Sequence, residues 1–220
     1  MTTIFDFLNI VGLVGWATVL GCLIVQWYEP LNTLLFALEG ICVLEVTRIA
    51  VGQLPGNLTL GIVLHGIRFT NLLCVLPLSK YLGGGEETVE SSDNASNDGS
   101  NFLNMDTLAW LVLYSWAITE VTRYPMYILT NNPTARFVRL TVPLVTFPVG
   151  AFAEGYASHL TLAALFAKDP ESMISVKNIL LLAVVVINGV LGPTMAYPFL
   201  LKKGVPVLLG KEKPRKSKKT

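Results

Sequence analysis

The chain has 220 residues, of which 52% are hydrophobic and only 14% are charged, with a net charge of +1. An average soluble domain carries about 25% charged residues, so the bilayer is the expected solvent for this much apolar sequence. A net charge so close to zero gives no sign of a nucleic-acid partner. The three cysteines, Cys22, Cys42 and Cys74, lie in apolar runs without CxxC spacing, which argues against a disulfide framework or a zinc site.

Six apolar segments are long enough to cross a bilayer, which takes roughly 20 residues. In chain order they run from about Leu8 to Tyr28, Leu31 to Val51, Leu58 to Leu78, Met105 to Leu129, Phe137 to Phe166 and Val176 to Leu201. The last two contain several Pro and Gly residues, which membrane helices tolerate where neighbouring groups satisfy the freed backbone. The predicted fold class is all-α: an integral membrane bundle of six transmembrane helices in one domain, residues 1–203.

Charge is distributed unevenly between the loops, and this predicts an orientation. Residues 80–104 form an acidic loop rich in Ser, Asn and Gly that is predicted to be disordered, whereas residues 204–220 form a basic tail. Six spans place both termini on one side, and the positive-inside rule puts that side in the cytosol. The loop near Arg123 and Arg136 is then also cytosolic, and the acidic loop is lumenal.

This topology has consequences for two glycosylation sequons and for the end of the basic tail. Asn94-Ala-Ser96 lies in the lumenal loop and would be a glycosylation acceptor, while Asn57-Leu-Thr59 would be cytosolic and unused. Lys216 and Lys218 stand fifth and third from the end, as in the dilysine retrieval signal of endoplasmic reticulum membrane proteins. The alternative is a generic basic tail beside anionic lipid.

Several ionisable residues interrupt the apolar segments, at a cost of at least ~2.5 kcal/mol each near the bilayer centre. Glu45 and Arg48, like Glu120 and Arg123, are spaced i,i+3 and share one helix face, so each pair is expected either to be neutralised within its helix or to mark a site. His65 is a single imidazole in segment three, for which a packing role is expected rather than a ligand role.

Glu154 in segment five has no base within four residues, and small neighbours leave space beside it. Burial of an unpaired carboxyl group favours its protonated form, which is the environment of a general acid or base. Glu154 is therefore the candidate catalytic residue.

The end of segment four carries a polar stripe. Its members, Glu120, Arg123, Tyr124 and Tyr127, fall at i, i+3, i+4 and i+7 and therefore lie on one helix face. A packing stripe in a membrane helix would use Leu and Ala instead, so this pattern indicates a substrate site or a structural polar cluster.

At these residues the chain resembles the membrane-embedded very-long-chain (3R)-3-hydroxyacyl-CoA dehydratases, also called protein tyrosine phosphatase-like proteins. The fourth-helix signature of that family is similar to the run from Trp116 to Tyr127, and an early Gly-Trp pair matches Gly15-Trp16. The fifth-helix signature is matched by Arg139, Pro148, Gly150 and Glu154. The resemblance spans roughly residues 8–202.

The resemblance implies dehydration of 3-hydroxyacyl-CoA to trans-2-enoyl-CoA, the third step of fatty-acid elongation. The implied partners are the very-long-chain acyl-CoA substrate, membrane lipid and other elongation enzymes. The implied location is the endoplasmic reticulum membrane with both termini in the cytosol. No cofactor and no metal is implied, because dehydration needs neither a redox carrier nor a metal ion.

In the family a Tyr and a Glu, seven residues apart on the fifth helix, carry the reaction. The Glu matches Glu154, but Phe147 occupies the Tyr position and cannot transfer a proton. Loss of a general acid or base typically costs about 10²–10⁴-fold in rate. Three alternatives follow: another donor such as Tyr124 or Tyr127, slow turnover by Glu154 alone, or an inactive member that binds acyl-CoA or elongation enzymes. A transporter or lipid-binding scaffold is less consistent with the signature of segment four.

Cys42 and Arg48 have the C-x5-R spacing of phosphatase loops. The five residues between them contain no glycine and one acid, and a membrane helix has no free backbone N–H groups to hold a phosphate. Tyrosine phosphatase chemistry is therefore not expected.

Overall fold

The computed structural model describes residues 2–29, 31–53, 57–76, 105–129, 132–168 and 175–211, and every regular element within them is helical. A π-helical segment, Asn71–Val75, continues the third helix, and a second, Ile187–Ala196, joins the last two. The predicted all-α fold class is confirmed. The helices are α1 (Thr2–Ile24), α2 (Leu31–Ala50), α3 (Leu58–Thr70), α4 (Met105–Ile128), α5 (Pro133–Thr141), α6 (Pro143–Lys168), α7 (Val176–Val186) and α8 (Tyr197–Leu208).

Each predicted segment coincides with a helix or a continuous helical run, but several ends differ. α1 ends at Ile24 rather than near Tyr28, because Gln26 adopts a left-handed backbone (φ 58°) and Trp27 N–H donates to the Cys22 carbonyl at 2.9 Å. This is a Schellman-type helix end, with Gln in the position that Gly usually takes.

Short polar side chains begin three of the helices. The Asn57 side chain accepts a hydrogen bond from Leu60 N–H before α3, and Ser175 accepts one from Asn178 N–H before α7. Asn132 accepts from two backbone N–H groups before α5, which has Pro133 at its first position. These caps satisfy backbone donors that have no partner inside a helix.

Four helical runs are long and apolar enough to cross a membrane, namely Phe5–Ile24, Leu58–Val75, Pro133–Ala167 and Val176–Leu208. α2 and α4 have sufficient length, but they carry charged residues in their middle turns. Large apolar side chains are exposed on several helices, for example Val14 of α1, Val145 of α6 and Met195 of the second π segment. A surface of this kind suits lipid, and the chain is a multi-pass membrane protein.

The core lies around α4, which packs against α1 on one side and α6 on the other. Trp16, Leu108, Leu113 and Leu181 are all fully buried in it. α6 approaches α4 closely at Gly150, where a Cβ atom would overlap the Ser115 side chain. Gly150 thus allows the close contact between α6 and α4.

The predictions for the acidic loop and for most of the basic tail concern residues that the structure does not describe. The acidic loop 80–104 with Asn94, and the tail from residue 212 onward, lie outside the described residues. α8 continues to Leu208, past the predicted segment end at Leu201, so residues 204–208 of the predicted tail are helical.

Candidate active site

The charged side chains of α2, α3 and α4 form one buried network, which we call the ion-pair network. Arg68 Nη1 lies 2.8 Å from Glu120 Oε1 and 3.1 Å from Glu39 Oε1. Arg123 Nη2 lies 2.8 Å from Glu120 Oε2 and 3.0 Å from Glu45 Oε2. Three carboxylates and two guanidinium groups therefore alternate between the three helices, which is how charge inside a membrane protein is usually compensated.

His65 belongs to the same network. Its Nδ1 lies 2.8 Å from Glu39 Oε2, and both side chains are buried. His65 and Arg68 stand one turn apart on α3 and together contact both carboxylate oxygens of Glu39. The imidazole is thus satisfied by a buried carboxylate, as the expected packing role requires.

Of the two predicted i,i+3 pairs, one forms an ion pair and the other does not. The intrahelical pair between Glu120 and Arg123 is confirmed, but a pair between Glu45 and Arg48 is not formed. Glu45 instead contacts Arg123 of α4, and the Arg48 guanidinium lies 3.6 Å from the centre of the Phe5 ring. Sequence spacing places both residues on one face of α2, but the charge that α4 brings to that face decides the partner.

Trp116 connects the ion-pair network to Glu154. The Arg68 guanidinium carbon lies 5.3 Å from the Trp116 ring centre and 5.7 Å from that of Trp16. The Trp116 indole Nε1–H donates a short hydrogen bond to Glu154 Oε1. The orientation of this carboxylate therefore depends on a ring that the charged network holds in place.

Glu154 is 6% exposed and lies on the face of α6 that meets α4 and the second π segment. Its second oxygen, Oε2, accepts a hydrogen bond from Asn188 Nδ2 at 2.9 Å. Indole and amide N–H groups are donors only, so Glu154 accepts a hydrogen bond at each of its two oxygens. The arrangement is an oriented acceptor in apolar surroundings, which suits a general base.

A cavity of about 380 Å³, which we call the Phe147 cavity, lies between α6 and the run from α7 to α8. Its wall is mostly apolar, and Asn188, the amide that holds Glu154, forms part of it. The Phe147 ring stacks on Tyr197 with 6.4 Å between ring centres and 7° between planes. The lining residues are Phe147, Pro148, Ala151, Phe152, Gly155, Tyr156, His159, Val185, Asn188, Gly189, Gly192, Pro193 and Tyr197.

The polar stripe of α4 lies at a different place from the Phe147 cavity. Tyr124 is fully buried, with its hydroxyl 3.8 Å from Cys42 Sγ and 3.5 Å from Arg123 Nη2. The ring centre of Tyr127 lies 5.9 Å from the Arg123 guanidinium carbon and 4.8 Å from that of Arg139. Neither phenol lines the cavity, so the structure brings neither of them to Phe147.

Glu39 and His65 of the ion-pair network and the neighbouring Cys42 have potential metal-ligand atoms within 4.8 Å of one another. Glu39 already contacts His65 Nδ1 and the Arg68 guanidinium. The positive charge of Arg68 opposes the binding of a cation at this carboxylate.

The candidate site also contains residues that the sequence analysis did not single out. Glu39 is a third ionisable residue in segment two, and that position alone could have identified it. Asn188 is an amide in an otherwise apolar run, and this position could have identified it in the same way. Tyr197 gave no local signal, because only packing brings it to Phe147.

Comparison with known proteins relates the chain to one family. No curated protein sequence and no solved structure gives a significant match. The family described as "Protein tyrosine phosphatase-like protein, PTPLA" matches residues 40–205, well over half of the chain. That range contains Arg68, Trp116, Glu154 and the whole Phe147 cavity. The chain therefore belongs to the PTPLA family, the family of very-long-chain 3-hydroxyacyl-CoA dehydratases.

Proposed function

We propose that the protein dehydrates very-long-chain (3R)-3-hydroxyacyl-CoA to trans-2-enoyl-CoA in the third step of fatty-acid elongation. Family membership relates the chain to this chemistry. The observation that carries the proposal is Glu154, a buried carboxylate held by Trp116 and by Asn188, of which Asn188 also lines an apolar cavity.

The reaction breaks the C2–H and C3–O bonds of the substrate and forms the C2=C3 double bond, with loss of water. Glu154 accepts the C2 proton, which the neighbouring thioester makes acidic. Trp116 and Asn188 keep the carboxylate in one orientation, and such positioning lowers the barrier to proton transfer. The apolar Phe147 cavity receives the part of the acyl chain next to the reacting carbons.

Replacement of Glu154 tests the proposal. Purified Glu154→Gln protein should form enoyl-CoA about 10²–10⁴-fold more slowly than the wild type, because an amide cannot accept the C2 proton. Product formation from a very-long-chain (3R)-3-hydroxyacyl-CoA is followed in detergent or in lipid nanodiscs.

Glu29→Gln is the matched control, because Glu29 is exposed in the turn between α1 and α2. Its rate should equal that of the wild type. If the Glu154→Gln protein turns over at the wild-type rate, Glu154 is not the base. If the wild-type protein itself forms no product, the proposed reaction is wrong.

A second candidate function is an inactive member that binds acyl-CoA or other elongation enzymes. The observation that favours it is Phe147, which provides no hydroxyl at the position where the family has Tyr. The same assay separates the two functions: this alternative predicts acyl-CoA binding to the wild type without product formation.

We further propose six spans, with both termini in the cytosol and the protein in the endoplasmic reticulum membrane. Glu39 and Glu45 of α2 and Glu120 and Arg123 of α4 are paired with one another or with Arg68 of α3, so these four charges can lie within a bilayer without facing lipid. The contact between Phe5 and Arg48 places the start of α1 beside the end of α2, as antiparallel spans require.

A further inference from the structure

We infer that Tyr197 is the proton donor that replaces the hydroxyl missing at Phe147. This inference rests on the proposed dehydratase function. It assigns the second catalytic proton to α8. The positions of the family's Tyr/Glu pair, Phe147 and Glu154, both lie on α6.

The first observation is the position of the Tyr197 hydroxyl. It donates to the Leu144 carbonyl oxygen at 3.3 Å. In an α-helix that carbonyl would accept from the N–H four residues later, which is Pro148 and has no N–H. The Leu144 carbonyl, which has no N–H partner at position 148, points along α6 toward Pro148, so the Tyr197 hydroxyl lies at the level of Phe147.

The second observation is the shared cavity. Phe147, Tyr197 and Asn188 all line the Phe147 cavity, and Asn188 holds Glu154. A substrate that enters this cavity therefore meets the Tyr197 ring and the partner of the proposed base together. The Tyr197 ring lies parallel to the Phe147 ring, with 6.4 Å between the ring centres, so both rings form the same part of the wall.

Tyr156 is the other phenol on the wall of the cavity. It stacks on Phe152 and His159 along the exposed face of α6 and is 38% exposed. It also lies nine residues, about two and a half turns, beyond Phe147 along α6. Tyr197 is thus the phenol that the structure places at the level of Phe147.

The hydrogen bond to Leu144 leaves the Tyr197 proton available. At 3.3 Å it is longer than the 2.7–2.8 Å of a typical O–H···O bond. Rotation about the Tyr197 C–O bond can turn the hydroxyl hydrogen from the Leu144 carbonyl to a substrate oxygen. The Leu144 carbonyl can then accept a hydrogen bond from water instead.

The two proton transfers of the reaction involve only Glu154, Tyr197 and the substrate. As Glu154 takes the C2 proton, Tyr197 gives its hydroxyl proton to the departing C3 hydroxyl group, which leaves as water. The enzyme then holds a protonated Glu154 and a Tyr197 phenolate. Transfer of that proton from Glu154 to the phenolate, through water in the emptied cavity, restores both groups.

Two substitutions, separately and together, test the inference. Tyr197→Phe should lower kcat by about 10²–10⁴-fold with little change in KM, because the ring and its packing stay. The double variant Tyr197→Phe/Phe147→Tyr should recover most of kcat, because a phenol hydroxyl returns to the wall of the same cavity. Tyr114→Phe is the matched control, since Tyr114 stacks on Trp110 outside the cavity.

The structural alternative is that Tyr197 only satisfies the carbonyl of Leu144. It predicts a lower unfolding temperature for Tyr197→Phe and no recovery from a hydroxyl at position 147. Wild-type kcat in Tyr197→Phe would overturn the inference, as would failure of the double variant to recover while Phe147→Tyr alone is active. Loss of kcat in Tyr124→Phe or Tyr127→Phe, with Tyr197→Phe active, would assign the donor to α4. Absence of turnover in the wild type would overturn the proposed function itself.

Discussion

Trp116 is the residue through which the charged network acts on the proposed base. One face of its ring meets the Arg68 guanidinium, and its Nε1–H donates to Glu154. The side chain is 3% exposed, so little solvent competes for this hydrogen bond. We therefore regard Trp116 as a positioning residue for Glu154 rather than as a proton carrier.

Trp116→Phe keeps an aromatic ring in this place and removes the N–H donor. A hydrogen bond to a charged group contributes about 1.5–3 kcal/mol, so kcat should fall by about 10- to 100-fold. KM should change little, because Trp116 does not line the Phe147 cavity. Steady-state kinetics on purified protein measure both constants.

Trp110→Phe is the control for this substitution, because Trp110 packs between Tyr28 and Tyr114 away from Glu154. It should keep the wild-type kcat. If Trp116→Phe also keeps it, the indole hydrogen bond does not position the base.

At the scale of helices, both π segments face α6 with an asparagine. Asn71 Oδ1 accepts a hydrogen bond from Ser158 Oγ at 3.3 Å, and Asn188 Nδ2 donates to Glu154 at 2.9 Å. A π segment changes the rotation of a helix locally, and such segments are frequent at functional sites. α6 is thus held through polar contacts by two helical runs in addition to α4.

The ion-pair network is the second connection between helices, and Arg68 is its centre. Arg68→Met should leave Glu39 and Glu120 without their shared partner in a buried place. Removal of one member of a buried ion pair costs about 3–5 kcal/mol, so the unfolding temperature in detergent should fall clearly.

Arg48→Met is a suitable comparison, because Arg48 contacts the Phe5 ring and forms none of the ion pairs in the network. Its effect on the unfolding temperature should be smaller. Equal unfolding temperatures for Arg68→Met and the wild type would show that the network does not hold α2, α3 and α4 together.

At the scale of the whole molecule, the proposed six spans place the two sequons on opposite sides of the membrane. Expression in microsomes should yield a protein whose mobility increases after glycosidase treatment. Ser96→Ala should abolish this shift, because it destroys the sequon at Asn94 in the loop that is proposed to be lumenal.

Thr59→Ala is the matched substitution in the other sequon, and it leaves the Asn57 cap of α3 intact. It should not change the shift, because Asn57 is proposed to face the cytosol. Glycosylation that depends on Thr59 rather than on Ser96 would reverse the proposed orientation.

The sequence by itself determined the helical membrane fold, the approximate position of each helical run in the described residues, and the family. These depend on local information: the length of apolar segments and the signature from Trp116 to Tyr127 with the matches around Glu154. The helix ends were less predictable, since the left-handed turn at Gln26 uses a residue that does not usually favour it.

Only the tertiary structure decided which side chains meet. Spacing along a helix identifies residues on one face, but the partner on that face belongs to another helix. For this reason Glu45 pairs with Arg123 instead of Arg48, and Asn188 and Trp116 bind Glu154. Tyr197 reaches Phe147 in the same way, across fifty residues of chain, because Pro148 leaves a carbonyl that its hydroxyl can bind.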